Sequence, residues 1–313
     1  MIATVGRTAS RWGRTAVLCV LLALGCVACV RPSAGAGPEP RDPGRVRIAS
    51  FDFPESQVVA ELYARALRDA GIAVEVLSGL GTREVVAPAL QQGQVDLVVD
   101  YLGSLLDYLG GSAGETHGRP EQVRAALLAR LVGRGLTALA YAPAEDVNAF
   151  AVRADFARQH RLSRLSDLRA LAGRLTFGGP PECPTRRYCL QGLQATYRLR
   201  FAEFRPQPSR GATVTALESG EIDVGLVEST SGQLGDGRLT LLVDDRSLQP
   251  RENLVPVVRT ELVRRYGARL TAPLDAVSTR LRTVDIVRLN QIVAVNPVTP
   301  AEAVAAYLRL PGH

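Results

Sequence analysis

The chain has 313 residues, 46% of them hydrophobic and 22% charged, a balance that fits globular protein with more than one compact core. Its 37 basic residues are all Arg and lie scattered among 31 acids, with neither a basic run nor interleaved aromatics. That distribution speaks against a nucleic-acid-binding surface.

The first signal along the chain is a leader. Arg7, Arg11 and Arg14 precede an apolar run from Ala16 to Leu24, followed by small residues around Cys26 and Cys29. A charged start, an apolar middle and a small-residue end make an export signal over residues 1–25. The run is shorter than the ~20 apolar residues a membrane span needs. Leu22-Ala23-Leu24-Gly25-Cys26 resembles a bacterial lipobox, so Cys26 is the expected lipidated N-terminus, with Cys29 the poorer alternative. Residues 26–44, rich in Pro, Gly and Ala, cannot bury a face and form a tether. The mature protein is therefore expected outside the cytosol, lipid-anchored to the outer face of the cell membrane. Loss of three Arg with the leader takes the formal charge from +6 to +3.

From Val46 short apolar strands alternate with amphipathic helices. Val46–Ala49 is a strand. Pro54 opens a helix whose apolar positions run from Val58 to Leu67, and Gly71 ends it. Ile72–Leu77 is the next strand. Thr82 is placed to cap a helix through Val85–Leu90, and Val95–Tyr101 reads as a buried strand. A second αβ series begins near Val147, with strands at Leu175–Phe177 and Ile222–Val227 and helices at Gln191–Tyr197 and Val214–Glu218. The chain ends in helices over Asp275–Gln291 and Pro300–Leu310, the latter after a cap-like Thr299. This rhythm predicts an α/β fold with mainly parallel sheets.

One stretch is echoed. Residues 89–97 and 216–224 both read Ala-Leu-x-x-Gly-x-(Val/Ile)-Asp-(Leu/Val): a helix end, a Gly stop, then a strand. Two related lobes would produce such a repeat. Five residues beyond each Asp lie Tyr101 and Glu228, at carboxyl ends of strands, where open α/β sheets bind ligands. They would face each other across an interlobe cleft.

Cys183 and Cys189 are closely spaced, which outside the cytosol favours a disulfide. The alternative, metal binding, lacks partners, because His117, His160 and His313 are all distant in sequence. No metal or other cofactor is expected. The same histidines show no spacing to a nucleophile, and there is no phosphate-binding Gly loop, so an enzyme is not the expected class.

Several separated segments carry a resemblance: Ser50–Ser56 leading into Ala60–Tyr63, Gly81–Val85, Val95–Leu106, Pro143–Phe150, Gly178–Thr185 and Gln249–Pro256. In this order they resemble the substrate-binding proteins of bacterial ABC importers for glycine betaine, choline and related osmoprotectants, over nearly all the mature chain. The resemblance implies a type II periplasmic-binding-protein fold: two α/β lobes, joined by crossovers near Glu145–Phe150 and Leu248–Val255, with a ligand cleft between them. Lobe 1 would comprise residues 45–146 and 252–313, and lobe 2 residues 147–251. It further implies a monomer that captures a small quaternary ammonium or related solute and passes it to an ABC permease in the cytoplasmic membrane, with no part for nucleic acid.

A quaternary ammonium has no N–H donor, so aromatic faces select it through cation–π attraction. Tyr101 matches the family's cage by motif position, with Phe51, Phe53 and Phe150 as further candidates. Thr82, Arg83, Asn148, Ser229 and Thr230 are the candidate polar contacts, and Glu145 and Asp146 belong either to the hinge or to the site. The chain departs from the family in two places. Glu228 stands where an aromatic often precedes Ser-Thr, and Leu102 follows Tyr101 where Thr is common. Glu228 removes a wall and adds a charge. It either pairs with a cation, one bearing N–H groups, or turns to solvent or an Arg.

Overall fold

The computed structural model describes residues 44–310. The leader, Cys26 and all but the last residue of the tether lie outside them. Ten strands and twelve α-helices follow in the order β1 (Val46–Ala49), α1 (Pro54–Asp69), β2 (Val74–Leu77), α2 (Arg83–Gln91), β3 (Leu97–Tyr101), α3 (Leu102–Tyr108), α4 (Ala113–Thr116), α5 (Pro120–Leu131) and β4 (Leu136–Ala138). Next come β5 (Asn148–Arg153), α6 (Ala154–His160), β6 (Thr176–Gly179), α7 (Leu190–Gly192, continued by a π turn to Tyr197), β7 (Glu203–Pro206), α8 (Arg210–Ser219), β8 (Val224–Glu228) and β9 (Leu239–Leu242). The chain then returns through β10 (Leu254–Arg259), α9 (Thr260–Tyr266), α10 (Ala268–Arg280), α11 (Thr283–Val295) and α12 (Pro300–Tyr307).

The strands form two five-stranded sheets, ordered β2-β1-β3-β10-β4 and β7-β6-β8-β5-β9. Position by position the two sheets match. In the first, β1 runs parallel to β2 and β3, while β10 is antiparallel to β3 and β4. In the second, β6 runs parallel to β7 and β8, while β5 is antiparallel to β8 and β9. Each antiparallel strand is the one that enters after a crossover from the other lobe.

The echoed sequence accounts for the match. Gly93 and Gly220, at φ +71° and +77°, turn the chain out of α2 and α8, a backbone conformation open chiefly to glycine. After the turn, Asp96 N donates to Arg47 O at 2.8 Å and Asp223 N donates to Thr176 O at 3.0 Å. The same residues answer with their side chains: Asp96 Oδ2 accepts from Arg47 N at 3.0 Å, and Asp223 Oδ2 accepts from Thr176 N at 2.9 Å. Each Asp thus clasps one residue of the neighbouring parallel strand. β5 buries both faces, Phe150 and Val152 in one apolar cluster, Ala149 and Ala151 in the other.

Three expectations are corrected. The sheets are not mainly parallel, because β10 and β5, entering from the other lobe, each pair antiparallel on both sides. The stretch Asp275–Gln291 is two helices, because Leu281 and Arg282 are extended. The break lets Leu281 O accept from Ala144 N at 2.9 Å and Thr283 Oγ1 accept from Glu145 N at 3.1 Å, so tertiary bonds to the crossover outweigh helical periodicity. Thr82 occupies the N-cap position of α2, but its hydroxyl makes no bond to the helix backbone. Thr299 does cap α12, in a capping box with Glu302.

Candidate functional site

The two crossovers run side by side. Glu145 and Asn253 form an antiparallel bridge, and Asp146 N donates to Glu252 O at 3.1 Å. Beside them opens a cleft of about 280 Å³. Phe53, Arg83, Tyr101, Gly103, Ser104 and Asp107 line it from the first lobe, and Asn148, Tyr188 and Glu228 from the second. Asp146, Gln249, Pro250 and Glu252 come from the crossovers. Acids outnumber bases: Asp107, Asp146, Glu228 and Glu252 against Arg83 alone.

Tyr101 ends β3 and begins α3. Its hydroxyl donates to Glu55 Oε1 at 2.7 Å, and Asn290 Nδ2 donates to Glu55 Oε2 at 2.8 Å. The first turn of α3 is fastened to the second crossover. Leu102 N donates to Asn253 O at 3.0 Å, Gly103 N to Arg251 O at 2.6 Å, and Ser104 N and Oγ to the Glu252 carboxylate at 3.1 and 2.7 Å. Position 103 must be glycine for this approach, since a Cβ there would lie 2.7 Å from Arg251 O.

The electrostatics follow from burial. Desolvation raises the Glu55 carboxyl above its ordinary range, against hydrogen bonds from Thr230, Asn290 and Tyr101. Burial raises Asp146 well above its ordinary value, with Glu55 and Glu228 pushing the same way. Glu252 is held up to about 7, again chiefly by burial, while Ser104 pulls it down. Accumulated acids that resist ionisation in the same region are eased by a cation.

The sequence candidates divide. Tyr101, Phe53, Arg83, Asn148 and Glu228 meet in the cleft, with the Phe53 and Tyr101 rings 6.2 Å apart. Arg83 gives Nε and Nη2 to Asp100, the latter at 2.7 Å. Glu228 is half exposed, with Arg210 Nε at 3.8 Å, so it meets both solvent and an Arg. Asn148 Oδ1 accepts from Arg210 Nη2 at 2.7 Å.

The other candidates do not line the cleft. Phe51 is buried behind Phe53, stacked on it at 5.9 Å and beneath the Arg83 guanidinium. Phe150 shares the Asn148 side of β5 but lies two residues further from the crossover, so it is buried in the second lobe's core against Phe177. Thr82 is exposed and is not among the residues lining the cleft. Ser229 works in the hinge: its Oγ accepts from Val147 N at 2.9 Å and donates to Glu145 O at 3.3 Å. Thr230 is fully buried and donates to Asp146 Oδ1 at 2.7 Å. Glu145 belongs to the hinge, and Asp146 lines the cleft.

Cys183 and Cys189 are bonded, with Cα atoms 5.3 Å apart. The loop they close carries Tyr188 into the cleft, a wall that sequence reasoning missed although an aromatic between paired cysteines marked the place. Gln249 and Glu252 were also missed. Both sit in the Gln249–Pro256 segment that marked the crossover.

Two matched α/β lobes, paired crossovers and a polar-aromatic cleft at the carboxyl ends of strands define a solute-binding protein. The family described as the substrate binding domain of ABC-type glycine betaine transport systems matches residues 44–310, and the chain belongs to it. It is 29% identical to the glycine-betaine-binding protein of Pseudomonas aeruginosa over 280 residues, 84% of this chain and 87% of that one. It is 26% identical to the carnitine transport binding protein OpuCC of Listeria monocytogenes over 254 residues, 78% of this chain and 80% of that one. Among solved structures, a glycine betaine/carnitine/choline ABC transporter protein superposes with a TM-score of 0.78 at 22% identity, covering 84% of this chain and 97% of that one. YehZ of Escherichia coli in its apo form superposes with a TM-score of 0.74 at 22% identity, covering 86% and 99%. At these identities the superpositions speak for the fold.

Proposed function

We propose that this chain captures a small organic ammonium solute, cationic or zwitterionic and of the glycine betaine, carnitine or choline kind, between its lobes. It delivers that solute to an ABC permease. The observation that carries this reading is one cleft in which Phe53 and Tyr101 on one lobe and Tyr188 on the other accompany four acids and a single, already paired Arg. Aromatic faces attract an ammonium, and desolvated carboxylates favour any cation beside them. A solute touching both lobes favours their closure about the paired crossovers, and closure supplies the surface the permease reads. We place the protein outside the cytosol as a monomer, held to the membrane through a lipid on Cys26, and regard it as a carrier rather than an enzyme.

A thermal-shift screen of the purified protein against betaine, choline, carnitine, ectoine, polyamines and amino acids tests the reading. A true ligand at 100 times its dissociation constant adds about 2.7 kcal/mol of stability. Tyr101→Ala should then weaken the hit at least tenfold by calorimetry while the chain stays folded. No shift with any compound, or an unaltered isotherm for Tyr101→Ala, would count against it.

A further inference from the structure

We propose that Glu55 is a positioning residue that acts through Tyr101 and sets the cleft's preference for an ammonium over a neutral group of the same shape. The inference deepens the solute-binding reading and rests on it.

Glu55 sits in the first turn of α1, is 7% exposed, and is not among the residues lining the cleft. An acid so placed is costly unless hydrogen bonds and charge hold it. Here Oε1 accepts the Tyr101 hydroxyl at 2.7 Å and Oε2 accepts Asn290 Nδ2 at 2.8 Å. The start of a 16-residue helix, with its unpaired backbone N–H groups, adds a field that favours negative charge. The same Asn290 nitrogen donates to Thr230 O at 2.9 Å, so the second lobe helps to hold the acceptor in place. Burial opposes ionisation of Glu55, while these donors and a cation in the cleft favour it.

Tyr101 carries the effect to the solute. It lines the cleft beside Phe53, and its hydroxyl ends on Glu55. Burial first, and then Glu55, raise the phenol well above its ordinary value, so the proton stays on Tyr101. The bond is therefore one from a phenol to a carboxylate. Such a charge-assisted bond polarises its donor: the proton is partly shared, and electron density moves from oxygen into the ring. An ammonium is attracted by that density, and a tert-butyl group of equal size is not.

Paired solutes isolate the charge. Calorimetry on the purified protein, with competition against the tightest hit for weak binders, would compare choline with 3,3-dimethylbutan-1-ol, and glycine betaine with 3,3-dimethylbutanoate. In each pair carbon replaces the charged nitrogen. In Glu55→Gln, which keeps the shape and loses the charge, the ammonium of the pair that binds should weaken about fivefold or more, and its carbon analogue less than about twofold. Tyr101→Phe keeps the ring and removes the bond, so it should narrow the preference about as far by itself, which keeps the test open if the Gln variant does not fold. Adding Glu55→Gln to Tyr101→Phe should then cost the ammonium less than about twofold. Equal losses for ammonium and analogue in Glu55→Gln would make Glu55 a structural support and overturn the inference. An undiminished preference in Tyr101→Phe, or a fivefold loss that persists in the double variant, would overturn it too, while leaving the solute-binding reading standing. Binding by none of the four, together with silence across the wider screen, would overturn both readings.

Discussion

Burial holds the Glu252 carboxyl up to about 7 from its ordinary 4.5, against the two hydrogen bonds from Ser104. The folded chain therefore keeps a proton that the unfolded chain has released. The stability Glu252 contributes is complete below pH 4.5 and is lost as pH rises through about 7. A cation in the cleft reverses the preference, because it favours the ionised form and expels that proton. Affinity for a cationic solute should rise with pH toward 7, by no more than about tenfold per unit for one proton. In Glu252→Gln that slope should be shallower, which titration calorimetry in buffers of different ionisation heat would reveal. A slope unchanged in the variant would locate the proton elsewhere. Tyr101 and Glu228 were legible because the repeat places each five residues past its Asp, at a strand end. Phe150 was not, because it shares the strand face of Asn148 and only its depth along β5 takes it into the core. Nor does sequence reveal that the Tyr101 hydroxyl ends on the buried Glu55.

At the scale of elements, the two Asp clasps are equal in backbone geometry and unequal in surroundings. Asp96 is buried and also receives Arg47 Nε at 3.1 Å and Arg259 Nη1 at 3.2 Å. Asp223 is half-buried, with Thr176 N its recorded side-chain contact. Asp96→Ala leaves two guanidinium groups without their shared carboxylate and should cost about 3 kcal/mol. Asp223→Ala removes one hydrogen bond and should cost about 1 kcal/mol. Urea denaturation of the two variants checks the ratio, and equal losses would contradict it. The clipped loop offers a second test. Replacing Cys183 and Cys189 with Ser should remove about 2 kcal/mol, the chain-entropy value for so short a loop. It should also weaken the solute by freeing Tyr188; unchanged affinity would show that the wall stays in place without the bridge. The strand at Val46–Ala49 and the echoed turns could be read from pattern because local chemistry makes them. The gap between α10 and α11 could not, since its cause is the crossover lying against Leu281 and Thr283.

The whole molecule is two sheets of one design joined by two neighbouring strands of chain. Rotation about that pair moves the second lobe's turn at Gly232–Asp236, which packs closely on Asn290 and Gln291 of α11, and with it the Ser229 and Thr230 hydrogen bonds. A solute that binds both sides should lower the radius of gyration in small-angle scattering, and it should do so less in Tyr101→Ala at equal solute concentration. A radius unaffected by saturating ligand would mean that the lobes are already fixed. The bridge between Glu145 and Asn253 has a further consequence. The hundred or so intervening residues leave and rejoin the chain at almost the same point, so they form a cassette whose ends need no spacer. Such a piece can be transplanted onto a related scaffold, or exchanged for a homologous one, without lengthening the path between its neighbours. The half of the cleft that brings Tyr188, Glu228 and Gln249 would then travel as a single unit of specificity.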